Sequence, residues 1–206
     1  MKLLVLNGDG IGPEIVPAGK QCLEAVNDAH DLGITFEEEH IGLKGIEVHG
    51  HACSEKVIKR IQELDGAIFG PHDNVSYPSA HQSYPNPSGV VRRSLGLFAN
   101  MRPSKTRPNV PAHVPKMDLV IARENMEGFY ADRNMYKGGA EFMANPNLAQ
   151  SVRNISRSAT TNIARAGCEF AMQRKKKITI IHKANVMKIT DGLWRDVCLD
   201  VAKDYP

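Results

Sequence analysis

Residues 3–14 read Leu3-Leu4-Val5-Leu6-Asn7-Gly8-Asp9-Gly10-Ile11-Gly12-Pro13-Glu14. Four consecutive apolar residues make a short buried strand, and three glycines then allow a tight turn. Pro13 suits a helix start, because it lacks the N–H that a first turn leaves unpaired. A helix from about Pro13 to Asn27 follows, with Ile15, Ala18, Cys22, Ala25 and Val26 as its apolar stripe. Strand, glycine turn and helix form the opening of an α/β protein. The setting is also that of a dinucleotide fingerprint, yet the glycines recur as G-x-G-x-G rather than G-x-G-x-x-G. Glu14 moreover places a carboxylate where the helix end would draw a pyrophosphate. By spacing alone, a structural turn and a ligand loop both stand.

Outward from this stretch the alternation continues. Residues 34–41 alternate like a strand, Ser54 caps a helix bearing Val57, Ile58 and Ile61, and Gly66-Ala67-Ile68-Phe69-Gly70 reads as another buried strand. Residues 71–87 are rich in Pro, Ser, Asn, His and Tyr without periodicity, which predicts a long loop. A helical stripe through Val91, Leu95 and Phe98 follows over residues 88–97, and an extended segment over 99–106. The change near Ala99 divides the chain into residues 1–99 and 100–206. In the second part, residues 107–116 read as loop and 118–123 as strand. Residues 127–154 are polar and glycine-bearing, which predicts a protruding arm. Ser156 or Ser158 starts a helix with Ile163, Ala166 and Phe170 on one face. Ile178–Ile181 reads as a buried strand, and Thr190 or Asp191 caps a last helix that buries Leu193, Trp194, Val197, Cys198 and Val201.

The 26 basic and 23 acidic side chains leave a net charge of +3 and are interspersed, which makes no footprint for nucleic acid. The one basic run, Arg174-Lys175-Lys176-Lys177, reads as a solvated helix end. Four scattered cysteines form no framework, and Leu3–Leu6 is too short for a signal-peptide core, so a reducing cytoplasm, or an organellar matrix, is the expected compartment. No stretch is long enough to span a membrane. Of the histidines, only His49-Gly50-His51 is tightly spaced, and it lacks a partner set at metal-ligand spacing.

Chemistry concentrates between Arg92 and Tyr130. A guanidinium is permanently charged and offers a planar fork that fits a carboxylate, so Arg92, Arg102 and Arg123 describe a receptor for a small polyanion if they converge. Tyr130, close behind, can move a proton. Lys183 and Asn185 follow a predicted strand, where α/β proteins place reactive groups, although by sequence alone the reading of the lysine as a surface cation is favoured. Arg93, Arg107 and Arg133 read as surface residues, as do Asp196 and Asp200 on the last helix.

Leu6-Asn7-Gly8-Asp9-Gly10-Ile11-Gly12-Pro13-Glu14, Leu97-Phe98-Ala99-Asn100-Met101-Arg102-Pro103, Arg123-Glu124-Asn125-Met126-Glu127-Gly128-Phe129-Tyr130 and His182-Lys183-Ala184-Asn185-Val186 together closely resemble the β-decarboxylating dehydrogenases. That family includes isocitrate, homoisocitrate, isopropylmalate and tartrate dehydrogenases. The resemblance implies their two-domain α/β fold, which is not a true Rossmann fold, with residues 1–99 opening the cofactor domain and 100–206 forming the substrate and dimer domain. It implies oxidation of a 2-hydroxy acid carrying a 3-carboxylate, with NAD or NADP and Mg2+ or Mn2+, followed by loss of CO2. Arg92, Arg102 and Arg123 match carboxylate-binding arginines, Tyr130 the proton donor after decarboxylation, and Lys183 the base that takes the hydroxyl proton. Ile11 and Asn185 match cofactor-contacting positions. The implied partner is a second copy of the chain, with the arm helping to build the dimer and Lys183 serving the partner's cleft.

Two departures shape the expectation. Where isocitrate-specific relatives carry a serine and then an asparagine ahead of the first arginine, this chain has Asn86 and Ser88, the same polar groups exchanged. A hydroxyl at Ser88 suits a polar substituent better than an isopropyl group, which favours an isocitrate-like substrate. Relatives also continue beyond the position of Pro206, where the metal-binding aspartates and the adenosine loop are expected, so the fold reads as truncated and the chain alone as an inactive fragment. The alternative is a non-catalytic carboxylate-binding or assembly subunit derived from the family.

Overall fold

The structure, a computed structural model, describes residues 1–82, 86–131 and 135–206. Its backbone gathers into two compact units, Met1–Leu95 and Gly96–Pro206. Arg133 lies outside the described residues. No described helix is long and apolar enough to cross a membrane.

In the first unit, strand β1 (Lys2–Leu6) lies between β2 (Thr35–Glu39) and β3 (Gly66–Phe69), parallel to both. Parallel strands are covered on both faces, which explains why β1 is a continuous apolar run rather than an alternating one. Helices α1 (Gly12–His30), α2 (Gly42–His49) and α3 (Glu55–Glu63) connect the strands. Leu4, Leu6, Ile41, Cys53, Val57, Ile61 and Val91 form the core. Each fully buried aliphatic side chain there contributes roughly 1.5–3 kcal/mol. Ser54 caps α3 as its position predicts, its Oγ accepting from the Val57 N–H.

Helix α1 corrects the predicted stripe. Ile15, Ala18, Cys22, Ala25 and Val26 are all exposed, while Val16 is buried and Lys20, Leu23 and Asn27 follow it around the same face. Polar tethers set this rotation: Lys20 Nζ lies 3.1 Å from Glu38 on β2, and the Asn27 side chain accepts the Ile34 N–H at 2.7 Å. Periodicity counts apolar residues but does not see these long-range anchors. The predicted unbroken loop over 71–87 is corrected in part: it contains a 3-10 turn (Asn74–Ser76) and α4 (Ser79–Gln82), and helix α5 (Pro87–Ser94) begins at its last residue. Residues 83–85 of it lie outside the described residues.

The second unit is built on β4 (Ala99–Lys105) and β5 (Asp118–Glu124), an antiparallel pair with Arg102 opposite Ile121 and Asn100 opposite Arg123. Strands β6 (Glu141–Asn145) and β7 (Leu148–Ser151) form a hairpin whose every residue is exposed, within the stretch read as an arm. Helix α6 (Arg157–Met172) is capped by Ser156 and packs on β5 through Gly167, where a Cβ would stand 3.2 Å from Ile178 and 3.7 Å from Ala122. Helix α7 (Thr190–Ala202) lies along α6, burying Val197, Cys198 and Val201.

The segment Ile178–Ile181 is not the predicted buried strand. It has no regular structure, and Ile178 and Ile181 are exposed. Three isoleucines and a threonine have strand-like composition, but a strand needs a neighbour to complete its hydrogen bonds.

Candidate functional site

The glycine turn of residues 7–12 closes on its own chain. A Cβ on Gly8 would stand 1.9 Å from the Pro71 carbonyl oxygen, and one on Gly12 2.0 Å from that of Asn7. These two glycines permit the backbone to approach itself, which decides the open choice for them in favour of a structural turn. Asp9 holds the turn in place. One carboxylate oxygen accepts the Leu43 N–H at 2.7 Å, and the other accepts the Tyr77 hydroxyl at 2.8 Å and the Asp73 N–H at 3.2 Å. Burial pushes the Tyr77 hydroxyl's pKa up, and the Asp9 carboxylate it bonds adds to this. Ile11 stands exposed at the entry to α1, the one apolar side chain the turn offers outward.

Asn86 and Ser88 meet at the start of α5. The Asn86 side-chain oxygen caps the helix by accepting the Gly89 N–H at 2.7 Å, and it also accepts the Ser88 hydroxyl at 2.9 Å. Arg92, one turn further along, is half-buried in the last turn of α5. Its charge is felt by His72, whose pKa is held down by burial; Asp9 acts against that shift and Arg92 with it.

The second unit assembles Arg102, Arg123 and Tyr130. The ladder register puts Asn100, Arg102, Ile121 and Arg123 on one strand face. Arg102 Nε donates to the Asn100 side chain at 3.1 Å. Arg123 reaches the other way, one guanidinium nitrogen 3.5 Å from the Tyr130 hydroxyl and its carbon 6.0 Å from the ring centroid. Two cationic forks, an amide and a phenol therefore form a row.

Carboxylates hold the segment that carries Tyr130. Glu124 accepts the N–H groups of Met126 and Glu127. Buried Asn125 bonds back to the β4 approach, its N–H to Phe98 and its amide nitrogen to Leu97. Glu127 accepts both the N–H and the hydroxyl of Ser156 at 2.8 and 2.6 Å, and Gly128 pairs with Asn154. Asp9, Glu124 and Glu127 escape sequence reasoning. The one available signal is a carboxylate within two or three residues of a glycine turn or a helix cap.

Lys183 and Asn185 stand on a separate turn ahead of α7, both side chains exposed. The Lys183 N–H donates to Asp191 at 2.8 Å. Asp191 is thus not the helix cap that sequence suggests, and neither is Thr190, which is the first helical residue; α7 starts without a side-chain cap. The other Asp191 oxygen takes Arg153 at 2.6 Å. Burial works to raise the Asp191 carboxyl, but these two bonds prevail and hold its pKa below the usual range.

A cleft of about 710 Å³ lies in this unit against β5, α6, α7 and residues 177–181, and Arg123 is among the residues that line it. Its lining combines apolar side chains, among them Ile163, Ile180 and Trp194, with the cationic Arg123, Arg174, Lys175 and Lys177. Among the described residues no group of three or more His, Cys, Asp or Glu side chains could hold a metal ion. His49 instead pairs with Glu39 at 2.9 Å, and His51 accepts the Cys53 N–H.

This architecture places the chain among the α/β proteins built from two units. More narrowly, it belongs to the isocitrate/isopropylmalate dehydrogenase family, whose sequence profile matches residues 2–206. A 3-isopropylmalate dehydrogenase of Archaeoglobus fulgidus is 36% identical over 206 residues, all of this chain and 57% of the relative. An isocitrate/homoisocitrate dehydrogenase of Thermus thermophilus is 36% identical over 210 residues, with 57% of that protein covered. The crystal structure of isocitrate dehydrogenase from Methylococcus capsulatus superposes with a TM-score of 0.80 at 28% identity, over all of this chain and 57% of that one. The chain thus spans somewhat more than half the length of the relatives it matches.

Proposed function

We propose that this chain carries the substrate-gripping and proton-transferring residues of an NAD(P)-linked, metal-dependent enzyme that oxidises a 2-hydroxy-3-carboxy acid and releases the 3-carboxylate as CO2. The observation that carries this reading is that Arg102, Asn100 and Arg123 share one strand face and that Arg123 reaches from it to the Tyr130 hydroxyl. Family membership supports the reaction class, and the relatives are named for isopropylmalate, isocitrate and homoisocitrate, acids of the proposed kind.

Arg102 and Arg123 bind and orient carboxylates, and Arg92 has the same task on α5. The Tyr130 hydroxyl gives its proton to the carbon that has lost CO2. Arg123 puts positive charge beside the oxygen that becomes negative at that moment, where preorganised charge lowers a barrier most. Lys183 takes the proton from the substrate hydroxyl as hydride leaves, in the partner subunit's site of a homodimer. The described residues form no metal cluster, and the Asn7–Gly12 turn is filled by its own chain rather than shaped around a pyrophosphate. Mg2+ or Mn2+ and NAD or NADP come to this reading from the family, with Ile11 and Asn185 as the cofactor contacts in this chain.

The Asn86–Ser88 pair supports a polar substituent at the substrate's third carbon. An isopropyl group set against it would leave the Asn86 amide nitrogen facing hydrocarbon, which costs about 1–3 kcal/mol for an unsatisfied group. Isocitrate is the favoured substrate on this ground. The native protein, assayed with isocitrate, homoisocitrate, isopropylmalate, tartrate and malate, with NAD and NADP and with Mg2+ and Mn2+, tests both levels. Reduced nicotinamide appearing with CO2 is the expected result, strongest with isocitrate. A preference for isopropylmalate would overturn the substrate reading, and no turnover with any of these acids the reaction class.

A further inference from the structure

We propose that Asp191 is a positioning residue for Lys183, aiming the lysine by fixing the backbone at its root; this rests on the reading of Lys183 as the base. The lysine side chain is exposed, with four rotatable bonds, so its direction depends on where its Cα–Cβ bond points. The peptide groups on both sides of that Cα are held. Its N–H donates to Asp191 Oδ2 at 2.8 Å, and its carbonyl accepts the N–H groups of Val186 and Met187, each at 2.9 Å. The next N–H, that of buried Ala184, donates to His182 Nδ1 at 3.1 Å.

Asp191 is 3% exposed, and helix capping does not account for its burial, since neither oxygen caps α7. Its Oδ1 takes Arg153 at 2.6 Å, and the same guanidinium nitrogen lies 3.8 Å from Met187 Sδ. Arg153 comes two residues after β7, so the clamp joins the base of the arm hairpin, the lysine turn and the first turn of α7. A turn that only had to connect two segments would not need a buried carboxylate paired with a partly exposed arginine, because taking a charge out of water costs free energy that an apolar contact does not. A clamp that must hold one geometry gains from it, since two oxygens on one rigid carboxylate set the arginine and the lysine N–H relative to each other.

The test compares Lys183→Ala, Asp191→Ala, Asp191→Asn and Asp191→Glu in the native protein. It reads kcat and KM for the hydroxy acid together with hydrogen exchange at the Lys183 amide. Asp191→Ala should lower kcat by roughly 10- to 100-fold, the loss expected from about 1 Å of misplacement, and leave KM within about threefold because Arg102 and Arg123 are untouched. Asp191→Asn, of equal volume, should lose less, Asp191→Glu should recover part of the rate, and amide exchange should speed up in step with the loss. Unchanged kcat in folded Asp191→Ala or Asp191→Asn, with Lys183→Ala inactive, overturns the role of Asp191 and leaves the reading of Lys183 standing. Full activity of Lys183→Ala, or a native protein without turnover, removes the base and this proposal with it.

Discussion

The Arg123 guanidinium meets Tyr130 twice, at the hydroxyl, 3.5 Å from one nitrogen, and over the ring, whose centroid is 6.0 Å from the guanidinium carbon. In the proposed reaction one residue thus serves both as a carboxylate fork and as the electrostatic neighbour of a proton donor. Removing the phenol oxygen should separate these tasks. Tyr130→Phe is expected to bind the hydroxy acid within about threefold of the native protein, since the arginines remain, while kcat falls by about 10²- to 10⁴-fold. Equilibrium binding and steady-state rates on the same preparation check this, and a variant with native kcat would remove Tyr130 from the mechanism.

Arg102 is exposed, and among the described residues its side chain bonds Asn100 and pairs with no carboxylate. Arg102→Ala should fold with native stability and lose the hydrogen bonds to one substrate carboxylate, about 1.5–3 kcal/mol, or roughly a 10- to 150-fold rise in Kd. Isothermal titration with the hydroxy acid measures it. Unchanged affinity would count against the strand face as the binding surface.

Gly42 has φ +69°, and a Cβ on it would stand 2.2 Å from the Asp9 carboxylate. Gly42→Ala combines left-handed strain with displacement of a buried carboxylate that has three donors, and is expected to cost at least about 2 kcal/mol. Denaturant unfolding reads the loss. Gly33→Ala, also at positive φ but with open space around its Cβ position, should cost less than Gly42→Ala.

Glu39 supplies a pH dependence. Burial acts to raise its pKa, but hydrogen bonds from Lys56, the His40 N–H and His49 outweigh it and bring the carboxyl from 4.5 down to about 2. A pKa depressed in the folded state adds stability above the unfolded value and withdraws it as pH falls through the folded one. The contribution should therefore be complete at pH 7 and fade between about pH 5 and pH 2. Glu39→Gln is expected to lower stability at pH 7 by about 1–3 kcal/mol and to converge on the native protein near pH 2. Parallel unfolding curves for the two proteins across that range would contradict the assignment.

Cys53 and Cys198 are buried, and that burial pushes both thiols up to about 11. At pH 8 they hold almost no thiolate, the form that alkylating reagents attack, whereas Cys22 lies exposed. Iodoacetamide on the folded protein should label Cys22 first, and Cys53 and Cys198 only as denaturant opens the two cores. Peptide mass spectrometry resolves the order.

Much of the element order was legible, because its signals are local. The run Leu3–Leu6, the cap at Ser54 and the cap at Ser156 each act within a few residues, and the structure shows each where its pattern predicts. The four motifs also carried the family. What local pattern missed was which way elements face and what holds them. On α1 the apolar count chose the exposed side, since the tethers at Lys20 and Asn27 lie across the sheet and the following loop. At Ile178–Ile181 apolar composition promised a strand, but a strand exists only where a neighbour accepts its ladder.

By itself, then, the sequence determined the fold class, the family and the residue types available for binding a carboxylate and moving a proton. Tertiary structure alone decided that Arg102 and Arg123 share a strand face, that Asp9 gathers donors 34, 64 and 68 residues away, and that Asp191 holds Lys183 rather than capping its helix. The physical reason is range. Propensity, capping and periodicity act over a turn or two of chain, whereas a buried carboxylate takes whichever donors the packed backbone brings to it, and its partners are settled only when the chain has folded around it.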